Sequence, residues 1–334
     1  MTLTRRRMLR TAATTSLLGL AAGRALADTA DLYAAAKREG SITYYASAIP
    51  TLTARLLQAF GRAYPGIAVT PMRLATGQMA QRYASEAQAG NVVADVIQLA
   101  DPFLMADAQE KGWIAAIDDL PAYAAFPADF KRKHDVLIGI FPHTIVSNTS
   151  MLQASEYPKD WRALLDPKWK GQIILSDPRD NLEVVDWIYT MFDAYGADYL
   201  QRMRVQEPKW SASVVPGIQM MIAGEAAVLA PALHQATASF IARGAPVVDF
   251  VPALTSGHET YMAVSAAAPH PNGARLLANF LLTREGQEAY TKDLAASPLP
   301  NIPGAVVLGP DYKRSRLPEA RAKRPELLAL LGLR

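Results

Sequence analysis

The chain has 334 residues, half of them hydrophobic, which is more than one ordinary domain needs and predicts two. It has no cysteine, which excludes disulfides, a catalytic thiol, thiolate metal sites and a lipid anchor on cysteine. The formal charge of +3 comes from the first 27 residues, which hold five arginines and no acidic side chain. Without them the 34 basic residues fall to 29, against 31 acidic, so charge gives no argument for binding nucleic acid.

Arg5, Arg6, Arg7 and Arg10 form a basic start, Thr11–Gly23 is a short apolar stretch, and Ala25-Leu26-Ala27 is a small-x-small cleavage site. This predicts an export signal over 1–27 and a mature chain beginning at Asp28. Thr4–Arg10, TRRRMLR, resembles a twin-arginine signal with Met8 where phenylalanine is commoner; an ordinary secretory signal with extra arginines is the alternative. No apolar run is long enough to span a membrane. A free, soluble periplasmic protein is expected.

Asp31–Gly40 reads as a helix ended by glycine, and Ser41–Ala46 as a strand rich in β-branched and aromatic residues. A helix over Leu52–Tyr64 places Leu52, Leu56, Leu57 and Phe60 on one face, and Pro65-Gly66 stops it. Ile67–Leu74 is a second strand, Thr76-Gly77-Gln78 opens a helix over Met79–Gln88, and Ala94–Leu99 is a third strand before Asp101-Pro102. This βαβα order with short connections predicts a mostly parallel sheet covered by helices. Lys131-Arg132-Lys133 reads as a solvated face. Val136–Phe141 and Thr144–Asn148 read as two strands separated by Pro142-His143.

Tyr157–Arg179, YPKDWRALLDPKWKGQIILSDPR, follows. Asp160 can cap a short helix over Trp161–Leu165, which Asp166-Pro167 ends. Trp169-Lys170-Gly171 then turns the chain into a strand, Gln172–Leu175, with Ser176–Arg179 past its carboxyl end. Later come helices over Leu182–Phe192 and Pro216–Ala223, strands over Ala226–Ala230 and Ala245–Phe250, a returning strand over Tyr261–Ala266, and a helix over Ala274–Leu282.

The Tyr157–Arg179 stretch resembles the lobe-crossing signature of bacterial periplasmic solute-binding proteins, in the branch with the ferric-ion, polyamine and phosphonate receptors of ATP-driven (ABC) importers. Pro269-His270-Pro271 and the helix after it, through Gly286-Gln287, resemble a second block of that family and read as structural. The resemblance implies an α/β, two-lobed periplasmic binding protein of type II. Each lobe is then a mixed, mostly parallel sheet flanked by helices, with a hinge between lobes. Lobe 1 is expected over 28–142 plus 257–334 and lobe 2 over 143–256. It implies capture of a solute by lobe closure and delivery to an inner-membrane permease by a monomer.

Motif searches find no nucleophile elbow, zinc-protease pair, phosphate loop or dinucleotide fingerprint, and no enzyme activity or cofactor is expected. The candidate ligand contacts are the loop ends, where open α/β sheets bind ligands. They are Ser47, Thr76 and Asp101 from lobe 1, and Ser176, Arg179, Asn181 and His234 from lobe 2. Each has a structural alternative. Ser47 and Thr76 read also as helix caps, Asp101 before its proline reads first as a cap, Arg179 reads also as a surface partner of Asp177, Asp180 or Glu183, and His234 as a satisfied histidine. His258 and Tyr261 read as structural.

The ferric branch has adjacent tyrosines where this chain has Leu233-His234-Gln235-Ala236. A ferric or ferric-chelate receptor is therefore the alternative, with His234, Asp101 and a third group as its metal option. Phosphonate-binding relatives have a small S-G-T run where Arg179–Leu182 stands here, and Asp180 and Glu183 argue against a doubly charged anion. The leading expectation is a small polar organic solute with an anionic group, which Arg179 could clamp. An exported periplasmic enzyme and a receptor reporting to a membrane sensor are the readings from other classes.

Overall fold

The computed structural model describes residues 28–179 and 181–333. The export signal and its cleavage site lie outside the described residues. The chain forms two compact units. The first holds residues up to Ile138, Thr260–Tyr290 and Pro298–Pro300; the second holds Gly139–Glu259, Thr291–Ser297 and Asn301–Arg334. The tail from 301 onward thus belongs to the second unit, where the sequence division puts it in the first. No helix among the described residues is long and apolar enough to cross a membrane.

The first unit opens with α1 (28–39). Three strands follow, each leading into a helix: β1 (Ser41–Ala46) into α2 (Pro50–Ala63), β2 (Ala68–Arg73) into α3 (Thr76–Gln88), and β3 (Val96–Leu99) into α4 (Pro102–Glu110). β1 lies parallel to both β2 and β3, as short right-handed crossovers require. Their carboxyl ends therefore share one edge of the sheet. Tyr45, Ile97 and Leu99 meet Met79 and Tyr83 of α3 and Met105 of α4 in a buried cluster. The triplet expected to be a solvated face is partly organised. Lys131 Nζ donates to the carbonyls of Tyr123 and Ala124, and Arg132 pairs with buried Asp135 at 2.7 Å.

β4 (Asp135–Asn148) carries the chain into the second unit as one continuous strand rather than two. Proline tolerates extended backbone, and the irregularity falls later, as a register shift between Thr144 and Val146. The second unit continues through a 3-10 turn over Arg162–Leu165, whose Ala163 N–H is accepted by Asp160 at 2.9 Å. Then come β5 (Ile173–Ser176), α5 (Leu182–Tyr195), α6 (Ala197–Val205), β6 (Lys209–Ser211), α7 (Val214–Ile222), β7 (Val228–Leu233), α8 (His234–Ile241) and β8 (Val247–Phe250). β7 does not stop at Ala230. It runs on through a cis Ala230-Pro231 bond to Leu233.

β5 is parallel to β6 and β7, so these three also end on one edge, while β4 is antiparallel to β7 and β8. Trp161 and Trp187 pack edge to face at 5.1 Å in the main core of this unit.

β9 (Gly257–Val264) returns the chain to the first unit, where its latter part pairs antiparallel with β3. α9 (Pro271–Leu281) and α10 (Arg284–Thr291) follow. α9 buries Leu276, Leu277, Phe280 and Leu281, and Phe280 meets Phe60 edge-on at 5.6 Å. The final helix, α11 (Leu317–Leu330), packs along α5 and α6 of the second unit.

Candidate functional site

The expected contacts of the first unit lie on its shared strand edge. Ser47 follows β1, and its N–H donates to the Gln98 carbonyl at 3.0 Å. Thr76 is the first residue of α3, whose N-cap is Ala75, and the N-cap of α2 is Ile49. Neither Ser47 nor Thr76 acts as the cap it reads as. Asp101 does cap: it accepts the N–H groups of Phe103 and Leu104 at 2.9 and 3.0 Å and so satisfies the first turn of α4.

In the second unit, a cavity of about 210 Å³ opens at the edge where β5, β6 and β7 end. Two helices start there. At the start of α5, Asn181 Oδ1 accepts from Glu183 N and Val184 N at 3.1 and 3.3 Å. That turn is capped. The start of α7 is different. Its N-cap, Ser213, has extended backbone and makes no side-chain cap bond. The first N–H groups of a helix have no partner inside it, and Pro216 has none to offer. The amides of Val214 and Val215 and the Ser213 hydroxyl therefore stand as donors at the cavity wall.

Two histidines complete the wall. His143 comes from β4, and His258 from β9. They meet edge to face at 5.6 Å. Gly257 makes this contact possible, because a Cβ there would lie 2.4 Å from the Phe141 carbonyl oxygen. The close approach also lets His143 N donate to Ser256 O at 2.8 Å. His143 is buried, with Nδ1 at 3.1 Å from Ser256 Oγ. Burial first, and then the charge of His258, hold its pKa well below the ordinary value, so it is neutral at physiological pH.

His258 Nε2 lies 2.8 Å from Glu183 Oε2. Burial acts to lower its pKa but is outweighed by the charge and hydrogen bond of Glu183 and by the charge of Asp186, and the pKa is raised. Glu183 stands against a doubly charged anion in the sequence; in the fold it pairs with His258, which offsets its charge when protonated.

The other expected residues of the second unit are distributed as follows. Asn181 lines the cavity. Ser176 is the last residue of β5 rather than past its end; it is fully buried, and its Oγ has no partner among the described residues. Arg179 Nε is bonded to both Asp177 oxygens at 3.0 Å, and this pairing, with burial opposing it, holds the Asp177 carboxyl below the usual range. His234 begins α8, and its Nδ1 is 2.7 Å from Asp249 Oδ2, a hydrogen bond that raises its pKa. His234 and Asp101 belong to different units, each with its own partner. Among the described residues no three His, Asp or Glu side chains gather to hold a metal ion.

Residues 45–288 match the family model of the bacterial extracellular solute-binding proteins. The chain belongs to that family. Among its relatives, an uncharacterized protein of Haemophilus influenzae is 26% identical over 288 residues, 82% of this chain and 80% of its own length. A Salmonella typhimurium protein named for binding 2-aminoethylphosphonate is 27% identical over 233 residues, 66% of each chain.

Two solved structures share the fold. One is the substrate-binding protein of an Agrobacterium tumefaciens ABC transporter, with TM-score 0.73, 18% identity and 87% and 95% coverage of this chain and that one. The other is iron-bound HitA of Pseudomonas aeruginosa, with TM-score 0.66, 18% identity and 87% and 98% coverage. This solute-binding protein has the two-lobed type II periplasmic binding fold.

Proposed function

We propose that this solute-binding protein is the periplasmic capture subunit of an ABC importer, that it closes two lobes on a small organic anion, and that the anionic group seats at the start of α7. The single observation behind this reading is the uncapped first turn of α7 at the cavity wall. Exposed N–H donors at a helix start, with the positive end of the helix dipole, make a site for a carboxylate or phosphonate. Asn181 adds a side-chain amide from the start of α5. The relative named for an aminophosphonate is in keeping with this ligand class. Export through the twin-arginine route, cleavage after Ala27, hand-over to a membrane permease, a monomeric state and the lack of an enzymatic role complete the proposal.

The test is a thermal-shift screen of residues 28–334 with methylphosphonate, 2-aminoethylphosphonate, succinate, putrescine and ferric citrate. A ligand bound only by the folded state at a hundred times its Kd stabilises by about 2.7 kcal/mol. A rise with phosphonates or succinate, accompanied by a smaller radius of gyration in X-ray scattering, is the expected result. A rise with putrescine or ferric citrate alone overturns the anion reading, and an unchanged radius at saturation overturns closure.

A further inference from the structure

We propose that His258 sets the charge of the cavity by neutralising Glu183, so that an anion is accepted while the pair is intact and rejected when Glu183 is bare. The inference rests on the anion reading above and deepens it. Glu183 lies in the first turn of α5 and lines the same cavity as Ser213 and Val214. A bare carboxylate lining the same cavity opposes an incoming anion in partly desolvated space, where charges act far more strongly than in water. The side chains of Glu183 and His258 are only 29% and 17% exposed, and their 2.8 Å contact places the compensating charge at the wall itself.

Other titratable groups surround His258, and one of them, Asp186, is only partly engaged and adds to the rise of the His258 pKa. Asp186 sits one turn along α5 and accepts the Arg316 N–H at 2.8 Å. Glu259, next to His258 on β9, accepts from Tyr312 at 3.2 Å and is paired with Arg314. His143 of β4 faces His258 edge-on and is held neutral by burial. Among the described residues lining the cavity the ionisable ones are Glu183, His258 and the neutral His143, so the charge at the wall falls to the Glu183–His258 pair.

The sign follows. His258 keeps its proton below its raised pKa and loses it as pH rises through that value, which leaves Glu183 without its compensating charge. Anion affinity should fall as pH rises. The test is calorimetric titration of residues 28–334 with methylphosphonate, for the wild type, His258→Gln, Glu183→Gln and the double variant. At pH 6, His258→Gln should weaken binding about tenfold, and both variants carrying Glu183→Gln should stay within about threefold of wild type. The ratio of wild-type Kd to Glu183→Gln Kd should rise between pH 6 and 9, and the ligand's own ionisation cancels in that ratio.

Wild-type affinity in His258→Gln overturns the proposal, as does a double variant as weak as His258→Gln. If His258→Gln fails to fold on a melting curve, the pH ratio decides alone: a flat ratio overturns the proposal and a rising one supports it. A wild type that binds neither methylphosphonate, inorganic phosphate nor succinate overturns the anion reading and this inference with it. Binding with a flat ratio overturns this inference alone.

Discussion

Asp186 carries a burial cost that its bonds do not cancel. Its side chain is 2% exposed, Oδ1 accepts the Arg316 N–H, and Oδ2 has no partner among the described residues. Burial is the main reason its pKa is pushed up to about 6. A carboxyl raised in the folded state favours folding most below its unfolded pKa and loses that contribution as pH rises through the folded value. Asp186→Asn, neutral at every pH, should therefore match the wild type near pH 4 and exceed it near pH 8 by about 3 kcal/mol. Urea melts at the two pH values check this; an equal difference at both would show that Asp186 does not titrate near 6.

Asp95 shows the opposite economy. It accepts from Thr43 N and His270 N, both at 2.7 Å, and its Oδ2 is 2.9 Å from His270 Nδ1, while His270 Nε2 is 2.8 Å from Ser41 Oγ. The connectivity is that of a hydrolytic triad, which no sequence motif could reveal across such separations. The N–H donors of Asn272 and Gly273 at the start of α9, which could hold an oxyanion, are taken by Glu39. The bonds tie β1, β3 and α9 together.

The contrast between the starts of α5 and α7 gives a direct test. Asp is a good N-cap, so Ser213→Asp should hold or raise the melting temperature while placing a carboxylate where the anion is proposed to sit. Methylphosphonate affinity should drop about tenfold or more. Unchanged affinity in the folded variant would detach the start of α7 from ligand binding. The helices and strands of the first unit were legible because their apolar residues repeat at clear helical or alternating spacing, as Leu52, Leu56 and Phe60 do in α2.

The cavity was legible only in part. Asn181 is reached from the sequence as a loop end before an apolar helix, and its capping role only from the structure. Ser213 is not reached, because β6 has three residues, too few for any periodicity, and the Val-Val-Pro that opens α7 resembles a strand. His143 and His258 are far apart in the chain, and their meeting depends on one glycine against one carbonyl, a contact that composition does not encode. Pro231 reads as a stop and lies inside a strand.

The chain passes between its two units five times, at residues 138, 259, 290, 297 and 300. Neither unit is made of one stretch. In the first, β3 needs β9 as its antiparallel partner, and α9 packs against β1 and β3. Residues 28–138 expressed alone lack both and should show no cooperative melting by circular dichroism, whereas residues 28–334 should melt cooperatively. A cooperative transition in the fragment would mean that β1, β2 and β3 with their helices suffice.

The same threading bears on how such a receptor can change its ligand over time. A unit assembled from separate stretches cannot be cut out and exchanged as a cassette, since any single crossover leaves strands without neighbours. New specificity must then arise in place, by point changes at cavity-lining positions such as Asn181, Glu183, Ser213 and His258. There one substitution alters charge or donor count and leaves the two sheets as they were.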